Sequence, residues 1–356
     1  MYTSDRFKMI NDYTFEYELP QGRAVRILQL TDSHLGFGLL SRKKDTMALA
    51  AMKELIERTQ PDLIVFTGDQ IFPYLPKAGT MDNRRQSRRF LDFMDSFEIP
   101  YTLIMGNHDT ELGSRLNRKE LGQFWTTGRY SIFAEGPEDI FGIGNYMLRL
   151  TRNGRLSYIF AMLDSNMYRD GWFYSGFDCV HADQSHWCMQ EIIKAAEEDA
   201  KAAEEGAKAA EKDADGASDL QAFIFLHMPP KEFREAYEKM KLGDESVRYH
   251  FGSIGERDEY FGISRYEGDL FERALECRYV KGLFCGHDHL NTISLTYKGI
   301  RMTYGMSIDC LGYKGITESF IQRGATLIEL PENGGFTVRP VPLTTVVSHH
   351  IRGIKD

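Results

Sequence analysis

Five short apolar runs in this chain end in the same kind of loop, each carrying side chains able to bind a metal. Val25 to Leu30 runs into Thr31-Asp32-Ser33-His34, and Leu63 to Phe66 into a loop with Gly68-Asp69. Tyr101 to Met105 leads to Gly106-Asn107-His108-Asp109, Phe223 to Leu226 delivers His227, and Val280 to Cys285 delivers Gly286-His287-Asp288-His289. Runs of this length bounded by glycine and polar residues predict buried strands. Between them Met47, Ala48, Ala51, Met52, Leu55 and Ile56 put one apolar stripe on a helix, and Phe90, Phe93, Met94 and Phe97 mark another. Strands that alternate with helices predict an α/β fold. Side chains at the ends of such strands converge on one edge of a sheet, which is where open α/β folds place their sites.

The rest of the chain fits the same class. Asn153-Gly154, a favoured type I′ pair, predicts a hairpin from Tyr146 to Leu163, and Lys298-Gly299 and Asn333-Gly334-Gly335 read as turns of a C-terminal β meander. Residues 194 to 214 are three near-identical heptads, KAAEEDA, KAAEEGA and KAAEKDA. Ala, Glu and Lys favour helix, but a stripe of alanine buries little area against a partner. The segment 190–215 is therefore expected to be a solvated helical insertion within a single domain spanning 1–356, with 213–219 as its exit loop.

Composition removes several classes. With 43 Lys+Arg against 52 Asp+Glu the formal charge of the 356 residues is −9, which disfavours a nucleic-acid partner. No stretch approaches the ~20 consecutive apolar residues of a membrane span, so no membrane partner is expected. The five cysteines (Cys179, Cys188, Cys277, Cys285 and Cys310) are odd in number and lack a C-x-x-C pair. They read as reduced thiols, and the expectation is a soluble cytoplasmic protein.

The strand-end residues carry the chemistry. Carboxylates, an amide and several imidazoles form a mixed O/N donor set suited to Mn, Fe, Zn or Co, and there are enough for two ions. Any one of the motifs could be an ordinary turn. The ordered set D-x-H, G-D, G-N-H-D, H and G-H-x-H, always at strand ends, is similar to that of the calcineurin-like metallophosphoesterase superfamily, from about Asp32 to His289. Finer features, F-T-G-D-Q-I at Phe66 to Ile71, A-M-L-D-S at Ala161 to Ser165, and G-H-D-H-L-N followed by M-T-Y-G, resemble the purple acid phosphatase-like branch.

That resemblance implies a four-layer αββα sandwich of two mixed sheets flanked by helices. It implies two divalent or trivalent transition metal ions, the first held by Asp32, His34, Asp69 and His289. Asp69 would bridge to the second, held also by Asn107, His227 and His287. Where purple enzymes carry a metal-binding tyrosine, three residues after Asp69, this chain has Phe72; His34 supplies an imidazole instead, so no purple colour is expected. The implied activity is hydrolysis of a small phosphoester by attack of a metal-activated hydroxide, with monoesters favoured. His108 would stabilise charge or protonate the leaving oxygen, oriented by Asp109 or alternatively by Asp288 or a carboxylate from elsewhere.

The substrate pocket is less legible. The segments 166–186 and 251–266 are rich in aromatics and glycine, and the candidate substrate contacts are Tyr168, His250, Arg265 and Tyr304. Arg84, Arg85, Arg88 and Arg89 share one helix face away from the aromatic stripe and read as solvated surface, and His349-His350 as an exposed tail. Two other functions stay open: a phosphodiesterase acting on cyclic nucleotides, glycerophosphodiesters or nucleic acid, and a scaffold that binds metal without catalysis.

Overall fold

Every apolar run singled out above forms a strand. The computed structural model describes residues 7–169, 176–209, 220–313 and 323–343. Its strands are β1 (Phe7–Asn11), β2 (Thr14–Glu18), β3 (Val25–Leu30), β4 (Leu63–Thr67), β5 (Tyr101–Ile104), β6 (Ser131–Ile132), β7 (Tyr146–Arg152) and β8 (Arg155–Met162), followed by β9 (Gln221–Phe225), β10 (Val247–Phe251), β11 (Val280–Cys285), β12 (Ser294–Tyr297), β13 (Ile300–Tyr304), β14 (Gly324–Leu330) and β15 (Thr337–Pro342). The α-helices are α1 (Arg42–Thr59), α2 (Leu75–Ala78), α3 (Asn83–Asp95), α4 (Arg118–Trp125), α5 (Ala182–Ala209), α6 (Glu232–Lys241) and α7 (Leu270–Glu276).

Two mixed sheets result. The larger has the order β1-β2-β7-β8-β9-β11-β13-β12-β10, the smaller β15-β14-β3-β4-β5-β6. In the smaller sheet β3, β4, β5 and β6 are parallel, with β14 and β15 antiparallel at one side. In the larger, β8, β9, β11 and β13 are parallel. Alternation along these strands makes the layers. Phe160, Phe223, Phe225 and Phe284 lie in one core with residues of β3, β4 and β5, and their rings stack in pairs, Phe160 on Phe223 at 5.5 Å and Phe225 on Phe284 at 5.0 Å. The intervening Ile159, Ala161, Ala222, Ile224 and Leu283 belong to a second core with Ile192 of α5, Phe233 of α6 and Phe271 of α7. Helix α1 covers the smaller sheet through Met47, Ala48, Ala51, Met52, Leu55 and Ile56, all buried. The architecture is the expected four-layer αββα sandwich.

Turn chemistry explains the hairpins. Asn153 and Gly154 take φ of 53° and 72°, and Lys298 and Gly299 take 48° and 88°, the left-handed pairs that two-residue hairpin loops need. The expected C-terminal meander is corrected: β12 and β13 close a hairpin in the larger sheet, whereas β14 and β15 pair in the smaller one. The heptad segment belongs to α5, and its first repeat is packed. Ala195 and Ala196 are buried, Glu198 pairs with Arg149 at 2.8 Å and Asp199 with Arg155 at 3.0 Å. The segment 210–215, the exit loop 213–219 and His349-His350 lie outside the described residues.

A buried carboxyl at the start of α6 gives a stability test. Glu232 lines a small cavity with Leu226, Met228 and Leu270, its Oε1 makes no hydrogen bond, and burial pushes its pKa up to about 7. The unfolded chain ionises this group near its ordinary value, the fold only near 7. Its contribution to stability is therefore complete at acid pH and falls as pH rises between those two values. Urea unfolding of Glu232→Gln should match wild type at the acid end of that window and exceed it by about 3 kcal/mol above its upper end. Parallel stability curves would contradict the assignment.

Candidate metal centre

The strand-end loops are sewn to one another before any side chain acts. Asp32 N–H donates to Gly68 O and His34 N–H to Asp69 O, both at 3.0 Å, and Gly286 N–H donates to His227 O at 3.0 Å. Gln29 ties the two sheets together, its Nε2 donating to Thr67 Oγ1 at 3.1 Å and to Cys285 O at 3.0 Å. Four of the seven candidate ligands sit at left-handed backbone, Asp32 (φ 51°), His34 (45°), Asp69 (57°) and His287 (77°). Non-glycine residues there cost about 1–3 kcal/mol each and persist only where the surroundings enforce them. Two glycines make room for these bends. A Cβ on Gly68 would stand 2.2 Å from His227 Nδ1, and one on Gly106 2.0 Å from Asp69 Oδ1.

All seven candidate ligands come together, each tied to another by a contact between side-chain atoms. Asp69 Oδ2 lies 3.3 Å from both His34 Nε2 and His227 Nε2. Asp32 Oδ1 stands 3.9 Å from His34 Nε2 and 3.5 Å from His289 Nε2. His227 Nε2 faces Asn107 Oδ1 at 3.0 Å and His287 Nδ1 at 3.3 Å. The ligand atoms of Asp32, His34 and His289 fall within 4.8 Å of one another, as do those of Asp32, Asp69 and His227. Asp32 thus reaches both groups, and Asp69 stands between the two flanking imidazoles.

This donor set fits metal ions. Asp32 Oδ1, Asp69 Oδ2 and His34 Nε2 are buried and make no hydrogen bond, a costly arrangement unless a cation meets them. The neighbouring groups also fix which imidazole nitrogen is offered. His227 Nδ1 is engaged by Thr67 O at 2.8 Å, and His289 Nδ1 stands 3.0 Å from Asp309 Oδ2, so each presents Nε2 to the carboxylates. Burial opposes charge on both rings, but Asp69 and Asp309 outweigh it and raise each to about 9.

Two residues with roles here escaped the sequence reading. Asp309 follows β13 just as the ligands follow their strands, and its position after Tyr304-Gly305 was the available signal. Glu111 is the other: its Oε1 bonds His108 Nδ1, leaving Nε2 for the cavity. Its spacing of three from His108 was legible, though common. Burial opposes charge on His108, but Asp69 and Glu111 together raise its pKa above the ordinary value.

Asp109 does not orient His108, which corrects its expected role. Its carboxylate accepts from the backbone N–H groups of Gly106 at 2.8 Å and of Asp69 and Ile71 at 3.1 Å each, and so clamps the bend at Asp69. Burial and the charge of Asp69 push it up to about 7. Nor does Asp288 reach His108; it accepts from Tyr304 Oη at 2.7 Å and Gly262 N at 3.0 Å.

The site opens into a cavity of about 490 Å³, lined among others by Phe72, Tyr74, Lys77, His108, Glu256 and Tyr313. Phe72 packs its ring 5.0 Å from that of His34 and 5.1 Å from that of His108. Of the four candidate substrate contacts, Tyr168 is brought to the ligands, its hydroxyl accepting from Asn107 Nδ2 at 3.3 Å. The other three are corrected. Tyr304 is fully buried behind Asp288, His250 bonds Thr296 Oγ1 at 2.8 Å on β12, and Arg265 lies against Gly176, so none of them lines the cavity. The arginines of α3 are also away from it, Arg84 and Arg88 lying over the Phe124 ring.

Comparison with known proteins agrees with this geometry. The family model described as calcineurin-like phosphoesterase matches residues 25–291. The Arabidopsis thaliana protein named "Probable inactive purple acid phosphatase 28" is 26% identical over 85% of this chain and 74% of its own length. The Saccharomyces cerevisiae protein named "Phosphatase DCR2" is 27% identical over 78% of this chain and 46% of its own. A crystal structure of a dimetal phosphatase from Danio rerio shares the fold, with a TM-score of 0.51 at 12% identity over 90% of this chain and 96% of that one. The chain belongs to the calcineurin-like phosphoesterase family.

Proposed function

We propose that this chain is a dinuclear metal-dependent phosphohydrolase that cleaves small phosphoesters, monoesters in preference to diesters. The observation that carries the reading is the unpaired, buried Asp69 Oδ2, equidistant from two imidazole nitrogens that belong to different parts of the ligand set. Asp32, His34, Asp69 and His289 would hold one ion, and Asp69, Asn107, His227 and His287 the other. When bound, two such ions supply Lewis acidity and a nucleophile at neutral pH.

The chain's own groups do the rest. His108 lines the cavity and is held by Glu111 through Nδ1, so its Nε2 can place a proton or a positive charge at the oxygen of a bound ester. Asp69 and Glu111 favour that proton against the cost of burial. Glu111 is a positioning residue. Phe72 and Tyr74 offer apolar faces to the leaving group, and Tyr168 steadies the Asn107 amide.

A scaffold that binds metal without turnover is the second reading, favoured by the word "inactive" in the name of the Arabidopsis relative. The intact pairing of His108 with Glu111 speaks for catalysis, since a binding scaffold has no use for an oriented proton donor.

Four outcomes test the proposal. Asp69→Asn should lose one equivalent of metal and at least about 10³-fold in kcat, as measured with metal analysis and a nitrophenyl monoester; wild-type turnover would remove the dinuclear assignment. His108→Ala should keep both ions and lose about 10²–10⁴-fold in kcat. Glu111→Gln should lose about ten-fold with KM unchanged, and equal activity in these two variants and wild type would favour the scaffold. Between chromogenic esters, a bis-nitrophenyl diester hydrolysed faster than the monoester would reverse the stated preference.

A further inference from the structure

The mouth of the metal cavity carries exposed leucines on one side. Leu39 is 86% exposed, Leu112 63%, Leu40 62% and Leu75 57%, and Tyr74 between them is 40% exposed. They form one rim rather than a scatter. Leu40 N–H donates to Ala78 O at 3.3 Å, which sets the turn at 39–40 on α2, and Leu75 N–H reaches Met81 Sδ at 3.2 Å. Met81 in turn faces Gly113, next to Leu112. Tyr74 and Lys77 of this rim line the cavity, as does Glu111 beside Leu112.

The leucines are presented by a rigid loop. Buried Asp45 accepts from Gly36 N at 2.8 Å, Phe37 N at 2.9 Å and Ser41 Oγ at 2.7 Å, and Gln86 Nε2 donates to Gly36 O at 2.6 Å. A Cβ on Gly38 would stand 1.9 Å from Ala78 O, so the loop is pressed onto α2. Among the described residues nothing covers Leu39 or Leu40, although four hydrogen bonds and a required glycine fix the loop that carries them. Directly after them come Ser41 and the exposed Arg42 and Lys43, a basic turn in a chain of net charge −9.

We propose that this rim docks the protein on an anionic lipid surface, with the metal cavity opening toward the headgroups. Protruding leucines beside basic residues match the boundary of a bilayer, where apolar side chains enter the acyl region and Lys and Arg meet anionic headgroups. A protein partner would have to bring a concave apolar groove to these side chains, whereas the exposed, basic Arg42 and Lys43 directly beside them match an anionic surface. The contact is with the surface only, and it qualifies the expectation from sequence that no membrane is a partner. It does not depend on the cavity being catalytic.

Flotation with phosphatidylcholine vesicles, with and without phosphatidylserine, tests this directly on the whole chain. The protein should float with the anionic vesicles, less so at high salt. Leu39→Ser/Leu40→Ser should weaken flotation about ten-fold or more, while its hydrolysis of a soluble nitrophenyl ester and its melting temperature stay those of wild type. Arg42→Gln/Lys43→Gln should lose the preference for phosphatidylserine. Absence of flotation, or flotation that the leucine variant retains, would overturn the proposal. So would self-association or capture of an apolar phosphopeptide that depends on these leucines without any vesicle binding.

Discussion

The bend at Asp69 is the constraint on which the centre rests. A carboxylate placed between two sets of imidazoles needs a backbone that reverses directly after β4, and Asp69 does so at φ 57°. Left alone, that conformation would relax. The Asp109 carboxylate prevents this by accepting from Asp69, Ile71 and Gly106 together, so the β4 and β5 loops hold each other in place. His108 N–H donates to Asp69 Oδ1 at 2.8 Å from the same loop, which turns the remaining oxygen, Oδ2, toward His34 and His227.

Electrostatics follow from this crowding. Asp69 is pushed up by its burial, but the charges of His227 and His108 and the nearby imidazoles of His227 and His34 outweigh that and hold it well below the ordinary carboxylate range. Asp309 is likewise lowered by His34 and His289 against its own burial. The same surroundings that keep Asp69 ionised leave its Oδ2 without a hydrogen bond. A metal ion resolves both conditions at once, which is why the geometry reads as a binding site and not as a buried ion-pair network.

The fold was largely legible because its signals are local. Apolar runs at Val25–Leu30 and Val280–Cys285 coincide with β3 and β11, and Asn153-Gly154 makes its hairpin turn. The C-terminal hairpins were assigned to one meander because a turn motif specifies a pair of strands but not the sheet they join. In the site, residue types at strand ends pointed to the candidate ligands. Roles were less visible. Asp109 has the chemistry to orient a histidine, yet its work is on backbone N–H groups that no spacing rule exposes, and Glu111 took the place expected for it. Tyr304 stood in a suggestive motif and proved to be part of the wall behind Asp288, since facing direction on β13 depends on a register fixed by β11 and β12.

The phosphoesterase reading, the metal stoichiometry and the placement of His108 all turn on Asp69 bridging two ions. Anomalous diffraction from crystals of the wild-type chain soaked in manganese addresses that point most directly. The account predicts two peaks about 3.5–4 Å apart on either side of Asp69 Oδ2, one near His34 and His289 and the other near Asn107, His227 and His287. A single peak, or two peaks with Asp69 turned away from both, would contradict it.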